Sequence, residues 1–295
     1  MFLVYINDMP QCSTNDCNIQ MYADDSILFS SKPTLHELST VLNASLRNLS
    51  KWLTSNYLTL NLNKSTYTII TLRRVTSDFN LNVNDVALSY SETFKFLGVT
   101  IDSRLTFRTH INNMIKKISK NRGIFMKLRF LPKNVLVSLY FSLVYPYLYY
   151  CVEAWGASCV TIVQPLFILQ KKILRLICNI PYYESSNPAF LELRILKLPD
   201  IYEYFTIIYF FKVLNSNRAP SLLNNILQLQ IIHSHDLRSN QFRLPKVGLI
   251  KFKQSPIYNF LNLWNLLPSF IKSVSSIFSL KKTLKVFLIE KYKDL

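Results

Sequence analysis

The hydrophobic period of this chain changes near residue 105, and that change limits what it can fold into. Ahead of it, apolar residues alternate with polar ones in short runs, as at Ile19, Met21, Ile27 and Phe29. Behind it they recur at steps of three and four, as at Ile111, Ile115, Ile118, Phe125 and Leu128. A period of two suits strands and one of 3.6 suits amphipathic helices. An α+β chain is expected, with short strands in front and helices behind.

In the front part, Ala23-Asp24-Asp25-Ser26 supplies a turn between two strands. Thr34 and Glu37 form a capping box behind Pro33. Leu35, Leu38, Leu42, Leu46, Leu49 and Leu53 then predict an amphipathic helix over 35–53. Leu58, Leu60 and Leu62 alternate with polar residues, and 66–72 is rich in β-branched ones. These predict another strand pair, ending near 101 with Phe94–Ile101 as its last turn. Gly98, one of four glycines, fits either a close backbone approach or a simple turn.

In the back part, Pro132 ends the first helix, a second begins over 134–151, and Leu166–Ile177 makes a third. Further helices are expected near 200–214, 256–267 and 277–292, separated by "NSNRAPS" and "HSHDLRSNQ". His233 and His235 in the latter fit a solvated loop better than a metal site. Nineteen residues from Asn134 to Val152 carry no charge, near the length of a membrane span. Pro146, five tyrosines and the basic residues upstream favour a buried helix pair, so no stable membrane insertion is expected.

Charge follows the same division. Residues 1–103 hold seven Lys/Arg against nine Asp/Glu, and 104–175 hold twelve against one. With a formal net charge of +17, the chain points to a polyanion as partner. Five scattered cysteines argue for a reducing, intracellular compartment over a disulfide framework. The start is abrupt: "MFLVYINDMP" is apolar from its first residues, which reads as a cut through a larger unit.

Asp24 and Asp25 are the strongest chemical signal. Two adjacent carboxylates repel by about 1 kcal/mol in water. An exposed turn tolerates that repulsion, and so does a site that binds a hard divalent cation between carboxylates and substrate phosphates. The surrounding residues bear on the choice. "YADD" (Tyr22–Asp25) in a strand–turn–strand resembles the catalytic hairpin of reverse transcriptases. "YINDMP" (Tyr5–Pro10), "WLTSNYLTLNLNKST" (Trp52–Thr66), "FKFLGVTIDSRLTFRTHI" (Phe94–Ile111), "LVYPYLYYCVEAWGAS" (Leu143–Ser158) with "LFILQKKILRLI", and Leu263–Ile289 are similar, in order, to stretches of jockey-like, LINE-type non-LTR retrotransposon enzymes.

The resemblance implies an RNA-directed DNA polymerase using Mg²⁺ (or Mn²⁺) in two-metal nucleotidyl transfer. It implies a partial polymerase palm over 1–103 (antiparallel hairpins plus a helix), a basic helical thumb over 104–180 and a helical C-terminal region over 181–295. Asp24 and Asp25 would be metal ligands, with Tyr22 and Ala23 under the primer end. Lys64 would assist the leaving pyrophosphate or hold the triphosphate, unless it is only an exposed strand-end lysine. Phe96, Leu97 and Gly98 would form the primer grip, or equally a plain core hairpin. Lys116, Lys117, Lys120, Arg122, Lys127, Arg129, Lys171, Lys172 and Arg175 would contact an RNA template and DNA primer through phosphate. Among Phe125, Phe130, Tyr140, Phe141 and Tyr145, core packing is expected for most.

This family's site also needs an upstream aspartate, and Asp8 and Asp16 do not sit in its context. The metal site is therefore expected to be incomplete, and the chain inactive alone unless the upstream polymerase part partners it. A non-enzymatic RNA- or DNA-binding remnant is the alternative. A membrane-associated helical protein is a third and weaker one.

Overall fold

Tyr22 and Asp25 face each other across a two-residue turn, which closes the first strand pair of the chain. The computed structural model describes residues 2–74, 79–215, 242, 244–246 and 248–293. His233, His235 and most of the two separators around them lie outside the described residues. The chain divides into two compact units, Met1–Leu105 and Thr106–Leu295.

The first unit is α+β. A short helix α1 (Phe2–Tyr5) and a 3₁₀ turn (Met9–Cys12) lead into the hairpin of β1 (Asn18–Tyr22) and β2 (Asp25–Phe29). Helix α2 (Leu35–Ser55) follows where the leucine period placed it. Thr34 starts it as the capping box requires, its hydroxyl accepting from the Glu37 N–H at 3.2 Å. Leu42 and Leu46 of its apolar stripe are buried against Ile69, Phe79, Leu81 and Val83. Buried Ser45 bonds Thr14, and Ser50 donates to Asn84 at 2.6 Å, so neither polar group is left unsatisfied.

The strand expected over 58–62 is absent. Tyr57 turns to φ 52 and the Leu58 N–H closes back on the Leu53 carbonyl, which ends α2. The Asn61 carbonyl then accepts from Lys64 and Ser65, curling the segment before any partner strand is reached. Of 66–72 only β3 (Thr66–Tyr67) is a strand, and it pairs in parallel with β6 (Ser89–Tyr90), whereas antiparallel hairpins were expected. Two further hairpins are antiparallel: β4 (Asn82–Val83) with β5 (Val86–Ala87), and β7 (Thr93–Phe96) with β8 (Val99–Asp102). The last is the expected turn at Phe94–Ile101.

The second unit is helical among its described residues. It contains α3 (Arg108–Lys127), α4 (Lys133–Leu143), α5 (Tyr145–Tyr149), α6 (Val152–Trp155), α7 (Val160–Cys178), α8 (Asn187–Glu192) and α9 (Leu198–Leu214). After them come α10 (Ile250–Lys253), α11 (Pro256–Leu266), α12 (Ser269–Lys272) and α13 (Ile277–Glu290). One apolar core serves all of them except α10, from Ile111 and Ile118 through Trp155, Leu166 and Phe210 to Leu284 and Leu288. Ile177 and Ile195, on either side of Pro181, belong to that same core. The uncharged stretch 134–152 is broken at Val144 and again at Cys151, giving α4 and α5 in place of one long helix. No helix of the described residues is long and apolar enough to cross a membrane.

Gln170 locks three segments of this core together. Fully buried, it donates to the Tyr140 hydroxyl and the Leu196 carbonyl, and accepts from the Leu198 N–H at 2.9 Å. Burial pushes the Tyr140 hydroxyl above its ordinary range, so it stays protonated. Trp155 is buried with its indole N–H on the Tyr150 carbonyl at 3.0 Å, which anchors the end of α6. At Gly156 a Cβ would meet the Tyr202 ring at 2.4 Å and the Val152 carbonyl oxygen at 2.6 Å, so the position has no room for a side chain.

Candidate nucleic-acid interface and carboxylate pair

Five paired positions, Asn18↔Phe29 through Tyr22↔Asp25, leave only Ala23 and Asp24 in the turn of the first hairpin. Ala23 is at φ 54, a left-handed conformation that a non-glycine residue adopts at a cost of about 1–2 kcal/mol. Asp24 sits in that turn and Asp25 opens β2; both are exposed. Tyr22, directly opposite Asp25, projects on the same face of the hairpin and is 64% exposed. Among the described residues, neither aspartate makes an ion pair or a side-chain hydrogen bond.

Two exposed, adjacent carboxylates suit a hard divalent cation that keeps water and substrate oxygens as its other ligands. They fall short of an all-protein cage, since no three His, Cys, Asp or Glu side chains cluster as a metal site among the described residues. The other two acids near the front are engaged elsewhere. The Trp52 indole donates to Asp8 at 3.2 Å, and Lys32 pairs with Asp16 at 2.9 Å. Lys64 is exposed in the Asn61–Ser65 turn, with no ion pair to either Asp24 or Asp25 among the described residues. Leu97 at φ 45 and Gly98 at φ 84 form the two-residue turn of β7–β8. Two positive φ angles in succession are the turn that matches strand twist, so Gly98 is accounted for as a turn glycine. Phe96 and Leu97 are half-buried.

The basic residues of the second unit divide by face. On α3, Ile111, Met114, Ile118 and Phe125 turn inward to the core. Lys116, Lys120 and Lys127 lie within about 40° of one another on the opposite side, all exposed. Lys117 is also exposed and sits 5.4 Å from the centre of the Tyr147 ring. Arg122 is turned toward the packed side, its Nε buried without a hydrogen-bond partner among the described residues. Arg129 is exposed just past the end of α3. On α7 all three basic residues are half-buried. Lys171 lies 4.2 Å from the Phe167 ring centre, and Arg175 donates to the Glu184 carbonyl at 2.8 Å while facing the Tyr182 ring. Between α3 and α7, the open row of positive charge is therefore the one on α3. Of the five aromatics, most of which were expected in the core, Phe130 is 77% and Phe141 42% exposed. Phe125 and Tyr140 are buried as expected.

Several buried titratable groups carried no motif and could not be found from sequence. Burial, with Lys117 nearby, pushes the His110 imidazole below its ordinary range. Burial raises the Glu153 and Asp200 carboxyls. Asp200 accepts from the Tyr292 hydroxyl, which ties the end of the described chain to α9. Cys159, exposed ahead of α7, is the one thiol whose pKa is clearly lowered, by hydrogen bonds from Thr161, whereas burial pushes Cys178 up to about 11.

Comparison with known proteins bears on the first unit most directly. Residues 1–101 match the family described as reverse transcriptase (RNA-dependent DNA polymerase). Over 211 residues the chain is 26% identical to the RNA-directed DNA polymerase from mobile element jockey of Drosophila melanogaster, covering 68% of this chain and 23% of that protein. The corresponding Drosophila funebris polymerase is 24% identical over 210 residues, covering 68% and 23%. The probable RNA-directed DNA polymerase from transposon BS of Drosophila melanogaster is 27% identical over 181 residues, covering 59% and 20%. The chain thus spans under a quarter of the length of these curated relatives. No solved structure matches it.

Proposed function

We infer that this chain, whose first 101 residues match the reverse transcriptase family, is part of a jockey-like non-LTR retrotransposon enzyme that binds an RNA template and a DNA primer. The observation that carries the reading is the exposed Asp24–Asp25 pair at a hairpin tip inside the family-matched segment. In this reading 1–103 is a partial palm, 104–180 a basic thumb and 181–295 a helical C-terminal region. The Lys116, Lys120 and Lys127 row supports phosphate contact, because exposed lysines along one helix face bind phosphate without reading sequence. Arg129 and Lys117 extend that contact.

Asp24 and Asp25 would hold Mg²⁺ or Mn²⁺, which supplies charge neutralisation at the phosphoryl oxygens of the incoming nucleotide. The chain's own residues orient. Tyr22, on the same face as Asp25, offers an exposed ring to the primer end. Phe96 and Leu97 at the second hairpin tip grip the primer backbone, and Lys64 counters triphosphate charge. Efficient transfer would call for a further carboxylate beside this pair, which another polymerase segment would supply. An intracellular, reducing compartment is consistent with five free cysteines.

Primer extension on an annealed RNA–DNA template–primer tests this, with the chain alone and the Asp24→Ala/Asp25→Ala variant beside it. We expect both to bind the template–primer and neither to extend it efficiently. Mg²⁺-dependent extension abolished by the variant would mean that a third ligand is already present. Failure of both to bind would remove the polymerase reading of the basic helices.

A further inference from the structure

Phe278 is 79% exposed on a helix whose apolar side is already spoken for. Helix α13 starts at a fixed place, because the Ser276 hydroxyl caps it by accepting from the Ser279 N–H at 3.2 Å. Leu280, Leu284 and Leu288 are fully buried in the core, and Phe287 pairs with the Phe270 ring at 6.2 Å. The fold therefore has no need of an aromatic side chain at 278. Around it, Lys281, Lys282 and Lys285 stand at i+3, i+4 and i+7, all exposed. Residues at those spacings are surface neighbours, with Cβ atoms about 5–6 Å apart over three or four positions. The one acid of the helix, Glu290, is its last residue.

We propose that this face of α13 is a stacking platform for single-stranded nucleic acid, with Phe278 under an unpaired base and Lys281, Lys282 and Lys285 on the flanking phosphates. The proposal rests on the nucleic-acid reading above and adds a second contact, on a different helix from the α3 lysine row and for a different substrate class. A solvated ring amid lysines matches the two parts of an unpaired nucleotide, a π-face and a phosphate. A paired duplex hides its base faces and leaves the ring nothing to stack on. A bilayer surface is a poorer fit. An interfacial helix inserts a broad apolar side, and here the leucine stripe is buried in the protein core, leaving Phe278 and Val286 as the helix's exposed large apolar residues.

The test uses the full chain, with fluorescence anisotropy on a labelled oligothymidylate and on a labelled duplex of equal length, across a salt series. We expect Phe278→Ala to weaken single-strand binding by about tenfold and to leave duplex binding unchanged. Phe278→Tyr keeps the ring and should bind as the parent does. Replacing Lys281, Lys282 and Lys285 by Ala should lower the salt dependence of single-strand binding. Phe278 is largely exposed and outside the buried core, and circular dichroism checks that each variant folds. The proposal is overturned if Phe278→Ala binds oligothymidylate as tightly as the parent, or loses duplex binding by the same factor. It is equally overturned if phosphatidylserine vesicles, and not oligothymidylate, are bound through Phe278. A parent chain that binds neither nucleic acid fails the reading under Proposed function too. Retained duplex binding with an indifferent Phe278 defeats this inference alone.

Discussion

Gly156 and Gln170 show how much single residues carry in the helical unit. Gly156→Ala drives a Cβ into the Tyr202 ring and the Val152 carbonyl, so thermal unfolding should report a loss of about 1–3 kcal/mol. Gln170→Leu strands the Leu198 N–H, the Leu196 carbonyl and the Tyr140 hydroxyl together. Denaturant unfolding should show a loss of about 2–4 kcal/mol. Glu153 behaves in the opposite sense. Burial raises its folded pKa, so the folded state favours the protonated acid. The stability it contributes is complete below the unfolded value, near pH 4, and is lost as pH rises through the raised folded value. Glu153→Gln should therefore raise the melting temperature at pH 7 and change it little at pH 4; a lower melting temperature at pH 7 would contradict this. At this scale the sequence was legible where a residue type has few uses. The polar run at Ala23-Asp24 announced a turn, and Asp25 opens the strand after it, while Gly98, open to two readings, sits in the turn of its hairpin. It was silent on Gln170, Glu153 and Asp200, because burial of a polar residue depends on neighbours remote in the chain.

Elements were legible where period and cap agree. Helix α2 has six leucines in register and a Thr34–Glu37 start, and it forms over Leu35–Ser55. Thr34→Ala should cost about 1 kcal/mol of first-unit stability in urea unfolding, with Thr34→Asp retaining most of it. The 58–62 strand failed for a local reason: a left-handed Tyr57 and the Asn61 turn consume the backbone groups that a ladder would need. The parallel β3–β6 pair was out of reach, since two residues at each end carry no period and their pairing spans the intervening hairpin. Charge on a helix reads differently again. Spacing put Lys171, Lys172 and Arg175 together, but Arg175 is committed to the Glu184 carbonyl and Lys171 to the Phe167 ring. We therefore expect Lys116, Lys120 and Lys127 to matter more for nucleic-acid affinity than the α7 trio, a ranking that alanine variants in one binding assay would check.

At the scale of the whole chain, the division into a slightly acidic α+β unit and a strongly basic helical one was visible in period and charge together. The structure divides into compact units after Leu105. The proposed roles divide along the same line: a carboxylate hairpin in the unit that matches the polymerase family, and open rows of lysine in the unit that follows. We expect this second unit to hold nucleic acid through phosphate contacts. The most direct measurement is the salt dependence of template–primer affinity for the parent chain and for Lys116→Ala/Lys120→Ala/Lys127→Ala. We expect a steep linear fall of log affinity with log salt, and a slope shallower by about 2–3 in the triple variant. A parent whose affinity ignores salt, or a triple variant with an unchanged slope, would contradict it.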